Sequence, residues 1–291
     1  MIAPGRILVT GGTGRWGRAL GRLGCHAVGR DRLDITDASN IAAMIEQTAP
    51  ALVINTAAYT DVDGAEAETE LAHRINAQGA GALARLCSVA SIPLIHVSTD
   101  MVFSEGNPDK PVNEAAQPSP ASVYGASKLE GEKQVRAAGE RYCIVRVSWL
   151  FSNEGDSFIS KILDAAVQRA ELDLVDDEYG RPTHVDELAE HLLRLGELIS
   201  NGEDVPRILH LGPGDAVSRY GWACDIFEES LRSGGPAPAL HPVAGDVFPT
   251  PARRARGVVL DTTLANDLIG KMPDWRLASR ACVRRRVSQR R

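Results

Sequence analysis

Paired cysteines and long apolar runs, two features that would restrict the fold or the cellular location, are missing from this sequence. Its 291 residues include five cysteines, an odd number, and no two of them form a C-x-x-C pair. Widely spaced cysteines argue against a disulfide framework and against a zinc site, and they are typical of reduced thiols in the cytoplasm. No apolar stretch has the length of a membrane span or of a signal peptide. We therefore predict a soluble, cytoplasmic protein without a membrane partner.

A dominant charge of one sign is missing as well. Charged residues make up 24% of the chain and the formal net charge is −6, so we predict no nucleic-acid partner. One local exception lies near the C-terminus, where seven arginines fall between Arg276 and Arg291. Charge runs of this kind are typical of solvated, disordered segments, and we predict a frayed tail there.

Short apolar runs, many of them β-branched, alternate with helical patterns along most of the chain. The runs typical of strands are residues 6–10, 25–29, 51–57, 93–99, 142–150 and 207–212. The main helical segments among the first strands are residues 39–49, 67–90 and 124–139. Near-continuous apolar strands indicate a parallel sheet that is covered by helices on both faces. The alternation therefore predicts an α/β fold with a Rossmann-type doubly wound parallel sheet.

A glycine-rich loop, VTGGTGRWG, follows the first strand and precedes the first helix. Gly11, Gly14 and Gly17 give it the spacing G-x-x-G-x-x-G. The first glycine allows a tight turn, the second lets the backbone approach a pyrophosphate, and the third permits close packing of helix on strand. The helix N-terminus then offers free N–H groups to the phosphates. At the first βα junction this pattern predicts a dinucleotide site, with a purely structural turn as the alternative.

The residues at the end of the second strand bear on the choice of nicotinamide cofactor. An NAD site usually carries an acidic residue about twenty positions after the glycines, to hold the ribose 2′-hydroxyl. This sequence has Arg30 at that point. Arg30, helped by Arg15 or Arg32, can pair with a 2′-phosphate, so we predict NADPH. Asp31 follows directly, which keeps NADH as an alternative.

Beyond residue 150 the pattern becomes less regular, and loops rich in Pro, Gly and Arg separate the helical segments. We predict an NAD(P)-binding Rossmann domain over residues 1–150, which also takes in about residues 185–212. Residues 151–184 and 213–291 are expected to form a smaller C-terminal substrate-binding lobe. This lobe should lie over the carboxyl ends of the strands, where open α/β sheets bind their ligands.

Three further residues converge on the same edge of the predicted sheet. Strand 93–99 ends in Thr99, at the edge where a doubly wound fold has its cofactor crevice. Tyr124 and Lys128 begin the next helix, and their four-residue spacing puts both side chains on one face. A ketone that accepts hydride needs a proton from a nearby acid, and a lysine cation beside a tyrosine lowers the tyrosine pKa. Because the Thr99 hydroxyl can bind the substrate oxygen, the pattern predicts a ketone reductase.

Together these features resemble the extended short-chain dehydrogenase/reductase superfamily and, within it, the dTDP-4-dehydrorhamnose reductase family. The similar segments run in the family's order from residue 11 to about residue 254. They are GGTGRWG, LDITD, VINTAAYTDVDGAE, INAQG, STDMVF, VYGASKLEGE, VRVSWLF, YGRPT and PTPARR. The segments NTAAYTDVD and YGRPT separate this family from generic reductases.

The resemblance implies NAD(P)H-dependent reduction of the C4 ketone of a nucleotide-linked 6-deoxyhexose, with Tyr124 as proton donor in a triad with Thr99 and Lys128. The residues it implies in cofactor binding are Gly11, Gly14, Arg15, Trp16, Gly17, Arg30, Asp34, Ile35, Ala57, Ala58, Tyr59 and Lys128. Those it implies in binding the nucleotide-sugar substrate are Asp100, Met101, Trp149, Arg181 and Arg253. Members of the family are commonly homodimers, so a homodimer is also expected.

Four places in the sequence depart from the family pattern. Met101 stands where a tyrosine is usual, which removes a hydroxyl from the expected sugar pocket. Ser157 replaces a common asparagine, and the residues after Arg254 lack the usual Pro-x-Asn-Ser. Ala19 stands where magnesium-binding members have an acid, so we predict no metal. Intact catalytic residues with an altered pocket suggest a substrate other than 4-dehydrorhamnose, such as a modified sugar of secondary metabolism.

Two other functions stay open on the same scaffold. The first is that of a sugar-nucleotide epimerase or dehydratase. Dehydratases typically have Asp-Glu after the strand-end threonine, whereas Asp100 is followed here by Met101, which cannot act as a base. The second is a non-catalytic, cofactor-binding regulatory subunit, like the family's relative that modulates methionine adenosyltransferase. The presence of both Tyr124 and Lys128 argues against that function.

Overall fold

The computed structural model describes residues 2–290, and strands alternate with helices along most of them. The strands are β1 (Ile7–Thr10), β2 (His26–Val28), β3 (Leu52–Asn55), β4 (Leu94–Thr99), β5 (Tyr142–Val147), β6 (Leu150–Phe151), β7 (Glu171–Val175), β8 (Tyr179–Gly180), β9 (Thr183–His184), β10 (Ile208–His210), β11 (Val217–Ser218) and β12 (Ala239–Val243). The α-helices are α1 (Arg15–Arg22), α2 (Ala38–Thr48), α3 (Gly64–Ala67), α4 (Thr69–His73), α5 (Ala80–Val89), α6 (Val123–Ala138), α7 (Phe158–Gln168), α8 (Val185–Ser200), α9 (Arg219–Arg232), α10 (Thr263–Ile269) and α11 (Trp275–Ser288). None of the helices in the described range combines the length and the hydrophobicity of a membrane span.

Six of the strands form one parallel sheet in the spatial order β2-β1-β3-β4-β5-β10. All residues of β1 and β3 are buried, in agreement with their continuous apolar character. The chain passes from β1 to β2 on one side and returns to β3 on the other, so the winding reverses between β1 and β3. Open α/β sheets bind ligands outside the strand ends at such a reversal. The six predicted strands are all present, and the predicted doubly wound parallel sheet is confirmed.

Helices cover both faces of the sheet and complete a hydrophobic core on each. On one face, α1 and α8 pack together, and Leu20, Leu188 and Leu192 are fully buried against the strands. On the other face, α2, α5 and α6 cover the sheet, and Ile41 and Leu83 are fully buried there. Strands that are apolar on both sides require this arrangement, because each face needs a helical layer to exclude water.

The predicted helix 67–90 is interrupted in the structure. It consists of α4, a π-helical stretch over Arg74–Gly79, and α5. Within the π-helical stretch, the buried Asn76 side chain binds the backbone N–H of Tyr59 at 2.8 Å and its carbonyl at 3.1 Å. It also donates to the Ser127 hydroxyl of α6 at 2.9 Å. The irregular turn therefore holds the loop after β3 against α6.

A second, smaller core lies among the segments that follow the sheet strands. Trp222 and Trp275 are almost fully buried in it, and their ring centroids lie 6.3 Å apart in an edge-on contact. Phe151 packs edge-on against Trp222 at 5.5 Å. Helices α7, α9 and α11 supply most of the other side chains of this core. They belong to the ranges assigned above to the substrate-binding lobe, and the exact boundary between the two domains stays a prediction.

The arginine-rich C-terminus is a packed helix rather than a frayed tail. The buried face of α11, which includes Cys282 and Val283, is part of the second core. Arginines of the same helix form ion pairs with acids of α9, namely Arg280 with Asp225 and Arg284 with Glu229. The prediction of a disordered segment is therefore wrong for α11, because an apolar stripe lies beneath the charges. Arg291 lies outside the described residues.

Replacing Gly17 with alanine is expected to destabilise the protein by about 3 kcal/mol. A Cβ at this position would overlap the backbone of Gly11 and Gly12, so α1 would have to move away from the glycine loop. Gly21→Ala is the matched control, because its Cβ would meet only the Ala27 Cβ at 3.5 Å. In a helix interior alanine is favoured over glycine by about 1 kcal/mol. Chemical denaturation measures both variants, and equal stabilities would contradict the close packing at Gly17.

Candidate active site

A cleft of about 1000 Å³ lies along the carboxyl ends of the sheet strands, between the sheet and the second core. It is lined by the glycine loop, by the residues that follow β2, β3, β4 and β5, and by the first turns of α6. The predicted site residues that line it are Gly11, Gly14, Arg15, Trp16, Arg30, Asp34, Ile35, Ala57, Ala58, Thr99, Asp100, Met101, Tyr124, Lys128 and Trp149. Most of the sequence predictions therefore converge on the edge where the winding reverses.

Gly11 and Gly12 of the glycine loop approach neighbouring backbone too closely to carry side chains. Gly11 has a φ of +70°, and a Cβ there would lie 2.8 Å from the Ala57 backbone nitrogen. The Gly12 N–H donates to the Val28 carbonyl at 2.7 Å, which fixes the loop against β2. Gly14 is the N-cap of α1 and offers no side chain to the first N–H groups of the helix. Those groups stay free at the cleft, so the loop fits the phosphates of a dinucleotide.

Arg15 connects this loop with the segment that leads into the second core. Its guanidinium donates to the carbonyl oxygens of Leu150 at 3.3 Å and Asp156 at 3.1 Å. Burial lowers the pKa of Arg15 from its usual value, and the neighbouring positive charge of Arg18 acts in the same direction. Arg18 also lines the cleft. Arg18 is not among the predicted site residues, although its three-residue spacing from Arg15 puts both side chains on one face of α1.

Arg30, the residue predicted to select NADPH, lies at the outer end of the cleft. Its side chain is 68% exposed, and its Nε lies 3.2 Å from a carboxylate oxygen of Asp34. Burial acts to raise the pKa of Asp34, but hydrogen bonds from Thr36 and the charge of Arg30 outweigh it and hold that pKa below its usual value. Arg32, the other arginine considered after β2, is exposed and does not line the cleft. Arg30 is thus the arginine of this loop that lines the cleft.

Thr99, Tyr124 and Lys128 come together where β4 ends and α6 begins. The Ser122 side chain caps α6, which puts Tyr124 in its first turn and Lys128 in its second. Lys128 is only 3% exposed, and its Nζ donates to the Val97 carbonyl at 2.7 Å. The ammonium group is therefore held at the edge of β4, in the same wall of the cleft as the Thr99 hydroxyl.

Burial dominates the pKa values of the tyrosine and the lysine. It raises the pKa of Tyr124 to about 12, with the Asp100 carboxylate acting in the same direction and the Thr99 hydroxyl against it. It lowers the pKa of Lys128 to about 8, opposed by the negative charge of Glu132. The sequence predicts a lowered tyrosine pKa, but desolvation of the phenolate and the negative charge of Asp100 raise that pKa instead. A phenol that keeps its proton at neutral pH is the form that a proton donor needs.

Asp100 and Met101 follow Thr99 in a short 3-10 turn at the end of β4. The Thr99 hydroxyl donates to an Asp100 carboxylate oxygen at 3.0 Å and accepts from the Met101 N–H at 3.2 Å. Burial raises the pKa of Asp100 to about 6, while hydrogen bonds and the charge of Arg219 act against it. The turn therefore fixes the orientation of the Thr99 hydroxyl at the cleft.

The opposite wall contains Arg219, a residue that the sequence analysis missed. Its guanidinium carbon lies 3.6 Å from the Trp149 ring centroid, and its Nε lies 3.8 Å from a carboxylate oxygen of Glu178. Trp149 has a φ of +46° and stacks on Trp222, with their ring centroids 6.0 Å apart. Burial lowers the pKa of Arg219 to about 10. Ser218 caps α9, so the sequence could have placed Arg219 at a helix start, but not in the cleft.

Three of the predicted ligand contacts do not line the cleft, because other parts of the protein hold them. Gly17 packs α1 on the glycine loop, as its close backbone contacts show. The Tyr59 hydroxyl donates to a Glu68 carboxylate oxygen at 2.6 Å. The Arg181 Nε donates to the Leu260 carbonyl at 3.0 Å, away from the lining residues.

Arg253 is the fourth predicted contact that does not line the cleft. Its side chain is 71% exposed and pairs with Glu105 at 3.0 Å. The next residue, Arg254, lines the cleft instead and forms an ion pair with Asp63 at 2.6 Å. Adjacent side chains of an extended loop point in different directions. The sequence therefore predicted that this loop lies at the cleft, but not which of its two arginines lines it.

Comparisons with known proteins agree on one family. The family model described as "RmlD substrate binding domain" matches residues 5–287. A dTDP-4-dehydrorhamnose reductase of Mycobacterium tuberculosis is 38% identical over 264 residues, which cover 86% of this chain and 83% of the relative. Its counterpart in Sinorhizobium fredii is 33% identical over 286 residues, which cover 96% of each protein.

Two solved structures are similar over nearly the whole chain. The dTDP-4-dehydrorhamnose reductase of Clostridium acetobutylicum superimposes with a TM-score of 0.85 at 29% identity, covering 95% of this chain and 98% of the other. The corresponding enzyme of Bacillus anthracis, determined in complex with NADP, has a TM-score of 0.83 at 29% identity and covers 94% and 97%.

Proposed function

Because the chain belongs to the RmlD substrate-binding domain family, as the motif resemblance predicted, we propose that it reduces the C4 ketone of a dTDP-linked 4-keto-6-deoxyhexose with NADPH. One observation carries the proposal more than any other. A half-buried tyrosine and a buried lysine lie one helical turn apart in the cleft that the glycine loop also lines. The named relatives support the substrate class, and the solved relative with NADP supports the cofactor.

The chain's own residues have separate tasks in this reaction. NADPH supplies the hydride when bound. The Tyr124 hydroxyl gives its proton to the ketone oxygen as negative charge develops there. Lys128 stabilises the phenolate that Tyr124 becomes. The Thr99 hydroxyl donates its single proton to Asp100 while the substrate is absent, and turns that proton to the ketone oxygen when the substrate binds. The contacts of Thr99 with Asp100 and of Lys128 with the Val97 carbonyl keep both groups oriented before the substrate arrives.

The cofactor site is assigned to the glycine loop and its neighbours. Gly11 and Gly14 admit the pyrophosphate, since the free N–H groups of α1 lie there. Arg30 takes the 2′-phosphate of NADPH at the outer end, and Arg18 adds positive charge to the same part of the cleft.

Arg30→Ala is expected to raise the KM for NADPH about tenfold and to leave the KM for NADH within about twofold, because a charge-assisted hydrogen bond to the 2′-phosphate is lost. Arg32→Ala is the matched control, since Arg32 is exposed and does not line the cleft. Steady-state kinetics with both cofactors measure the effect. Equal changes for NADPH and NADH would contradict this role of Arg30.

The substrate side is assigned to Asp100, Met101 and Trp149, together with Arg219 and Arg254. Met101 brings an apolar thioether to the cleft where the family pattern has a hydroxyl, which supports a sugar altered at the position it meets. Arg254 and Arg219 bring positive charge to this wall and suit the diphosphate of the nucleotide. A homodimer and a cytoplasmic location are part of the proposal, and light scattering of the purified protein tests the first.

Turnover tests the proposed function. The purified protein is mixed with NADPH and a dTDP-4-keto-6-deoxyhexose, and the absorbance of the reduced cofactor is followed. Loss of absorbance with formation of the 4-hydroxy sugar is the expected result. Conversion of the sugar without consumption of NADPH would favour an epimerase or dehydratase. Tight NADPH binding without turnover on a panel of keto-sugars would favour a regulatory subunit.

A further inference from the structure

A buried ion pair lies directly behind the tyrosine and the lysine. Arg146 of β5 donates from Nε to Glu132 at 2.9 Å and from a terminal nitrogen to the other carboxylate oxygen at 2.6 Å. The two side chains are only 2% and 3% exposed. The Ser98 hydroxyl donates to the same carboxylate at 2.6 Å. Glu132 thus holds three short hydrogen bonds in the interior.

The position of Glu132 connects this cluster with the reaction. Tyr124, Lys128 and Glu132 are spaced four residues apart, so they form one stripe along α6. The partners of Glu132 lie beneath that stripe, where Ser98 and Arg146 are paired neighbours on β4 and β5. Ser98 directly precedes Thr99 in the chain. The carboxylate therefore joins the helix that carries two catalytic groups to the strand end that carries the third.

Stability alone does not account for this arrangement. Bringing two charges into a protein interior costs several kcal/mol each, and a well-packed apolar pair in the same place is often as stable or more stable. A buried pair that joins the two elements carrying the catalytic groups, α6 and the end of β4, is better explained by orientation. Its location supports this, since the Arg146 guanidinium also lies 5.2 Å from the Phe103 ring centroid, in the small core that follows the 3-10 turn.

We propose that Glu132 is a positioning residue for the reduction, with Arg146 as its charge partner. It holds the Tyr124–Lys128 face of α6 in register with the ends of β4 and β5, and its negative charge favours the ammonium form of Lys128. This inference rests on the proposed reductase function, because the groups it positions are assigned there.

The other titratable groups around the cluster leave Glu132 as the charge that acts on Lys128. His96 of β4 is neutral, because burial and the charge of Lys128 hold its pKa well below the usual range. His210 of β10 faces Arg146 at 3.4 Å, and burial followed by the charge of Arg146 lowers its pKa to about 3. Both histidines are therefore uncharged at neutral pH, whereas the negative charge of Glu132 raises the pKa of Lys128.

Three variants separate positioning from structural support. Glu132→Gln removes the charge and keeps the shape. Glu132→Gln/Arg146→Met removes both charges, so that no buried guanidinium is left unpaired. Glu130→Gln is the matched control on the same helix, since Glu130 is 42% exposed and, within residues 2–290, forms an ion pair only with Lys133, at 3.5 Å. For each variant, kcat, KM and the melting temperature are measured.

Glu132→Gln is expected to lower kcat about 10- to 100-fold with KM changed less than about twofold. The double variant is expected to regain thermal stability and to keep the low kcat. Recovery of kcat together with stability would overturn the proposal, because the pair would then be structural only. Should Glu132→Gln fail to fold, Ser98→Ala removes one of its three hydrogen bonds, and wild-type kcat in that variant and in the double variant would overturn the proposal as well.

NADPH binding gives a readout that does not depend on the substrate. The affinity, followed by cofactor fluorescence, is expected to fall as pH rises through about 8, where Lys128 loses its charge. In Glu132→Gln this midpoint is expected about one pH unit lower. An unchanged midpoint contradicts the role of Glu132. A wild-type protein that shows the midpoint but reduces no keto-sugar contradicts the reductase assignment instead.

Discussion

Tyr124→Phe is expected to lower kcat for the reduction about a thousandfold while the protein stays folded and binds NADPH. Phenylalanine fills the same half-buried space at the start of α6, so the packing of the helix on the sheet is kept. What is lost is the acid of the triad, because burial raises the pKa of Tyr124 to about 12 and its phenol therefore carries a proton at pH 7. Steady-state turnover and NADPH titration of the same preparation measure the two effects.

Tyr142→Phe is the matched control for this variant. Tyr142 begins β5, at the opposite end of the strand from the cleft, and its ring packs beneath Arg207. Wild-type turnover is expected there. If Tyr124→Phe kept more than about a tenth of wild-type kcat, the proton would have to come from another group. Asp100, whose pKa burial raises to about 6, would be the nearest acid to test.

Lys128→Met is expected to lower kcat/KM by about 100- to 1000-fold and, at the same time, to stabilise the fold. Methionine has a similar length and suits a site that is only 3% exposed. The catalytic loss follows because no cation is left to favour the phenolate of Tyr124. The expected stability gain is about 1 kcal/mol at pH 7. It is the cost of burying the lysine charge, which the variant avoids, minus the contribution of the hydrogen bond to the Val97 carbonyl, which the variant loses.

The pH dependence of stability checks the sign of this second effect. Lys128 has a pKa of about 8 in the folded protein, against about 10.4 for an unperturbed lysine. Below pH 8 the lysine is charged in both states, and the full cost of burying it is present. Between about pH 8 and 10 the folded state loses the proton first, so the wild type gains stability relative to Lys128→Met. The free energy of unfolding of each protein is measured by chemical denaturation over that pH range. A difference between the two proteins that stays constant with pH would contradict the burial of the charge.

The sheet could be predicted from the sequence because each of its strands is short and apolar on both faces. Val9 and Ile54 illustrate this, since neither has any exposed surface. Helix α11 was not predicted, because its many arginines outnumber the apolar residues that repeat at helical spacing. Trp275, Ser279 and Cys282 are all buried at spacings of four and three residues, which is the pattern of a packed helix.

The sequence places residues at the cleft where the backbone alone fixes their position. The glycine loop and the Tyr124–Lys128 pair follow from a strand end and a helix start. Contacts from the second core are different, because they depend on how that core packs over the sheet. Arg219 reaches the cleft only because α9 starts beside Trp149, and nothing in the local sequence of either residue encodes that meeting.

The place of α11 in the second core has a consequence for the synthesis of the protein. The sheet is complete once β10 has been translated, whereas the second core lacks Trp275 and the residues that follow until the ribosome has passed α11. Domains tend to fold as units in the order in which they leave the ribosome. The half with the glycine loop then lacks mainly residues 265–272 of its core, so it is expected to fold earlier than the second core, which is completed at the end of translation. During the synthesis of each molecule, the ability to bind the cofactor is then expected to appear before catalytic activity.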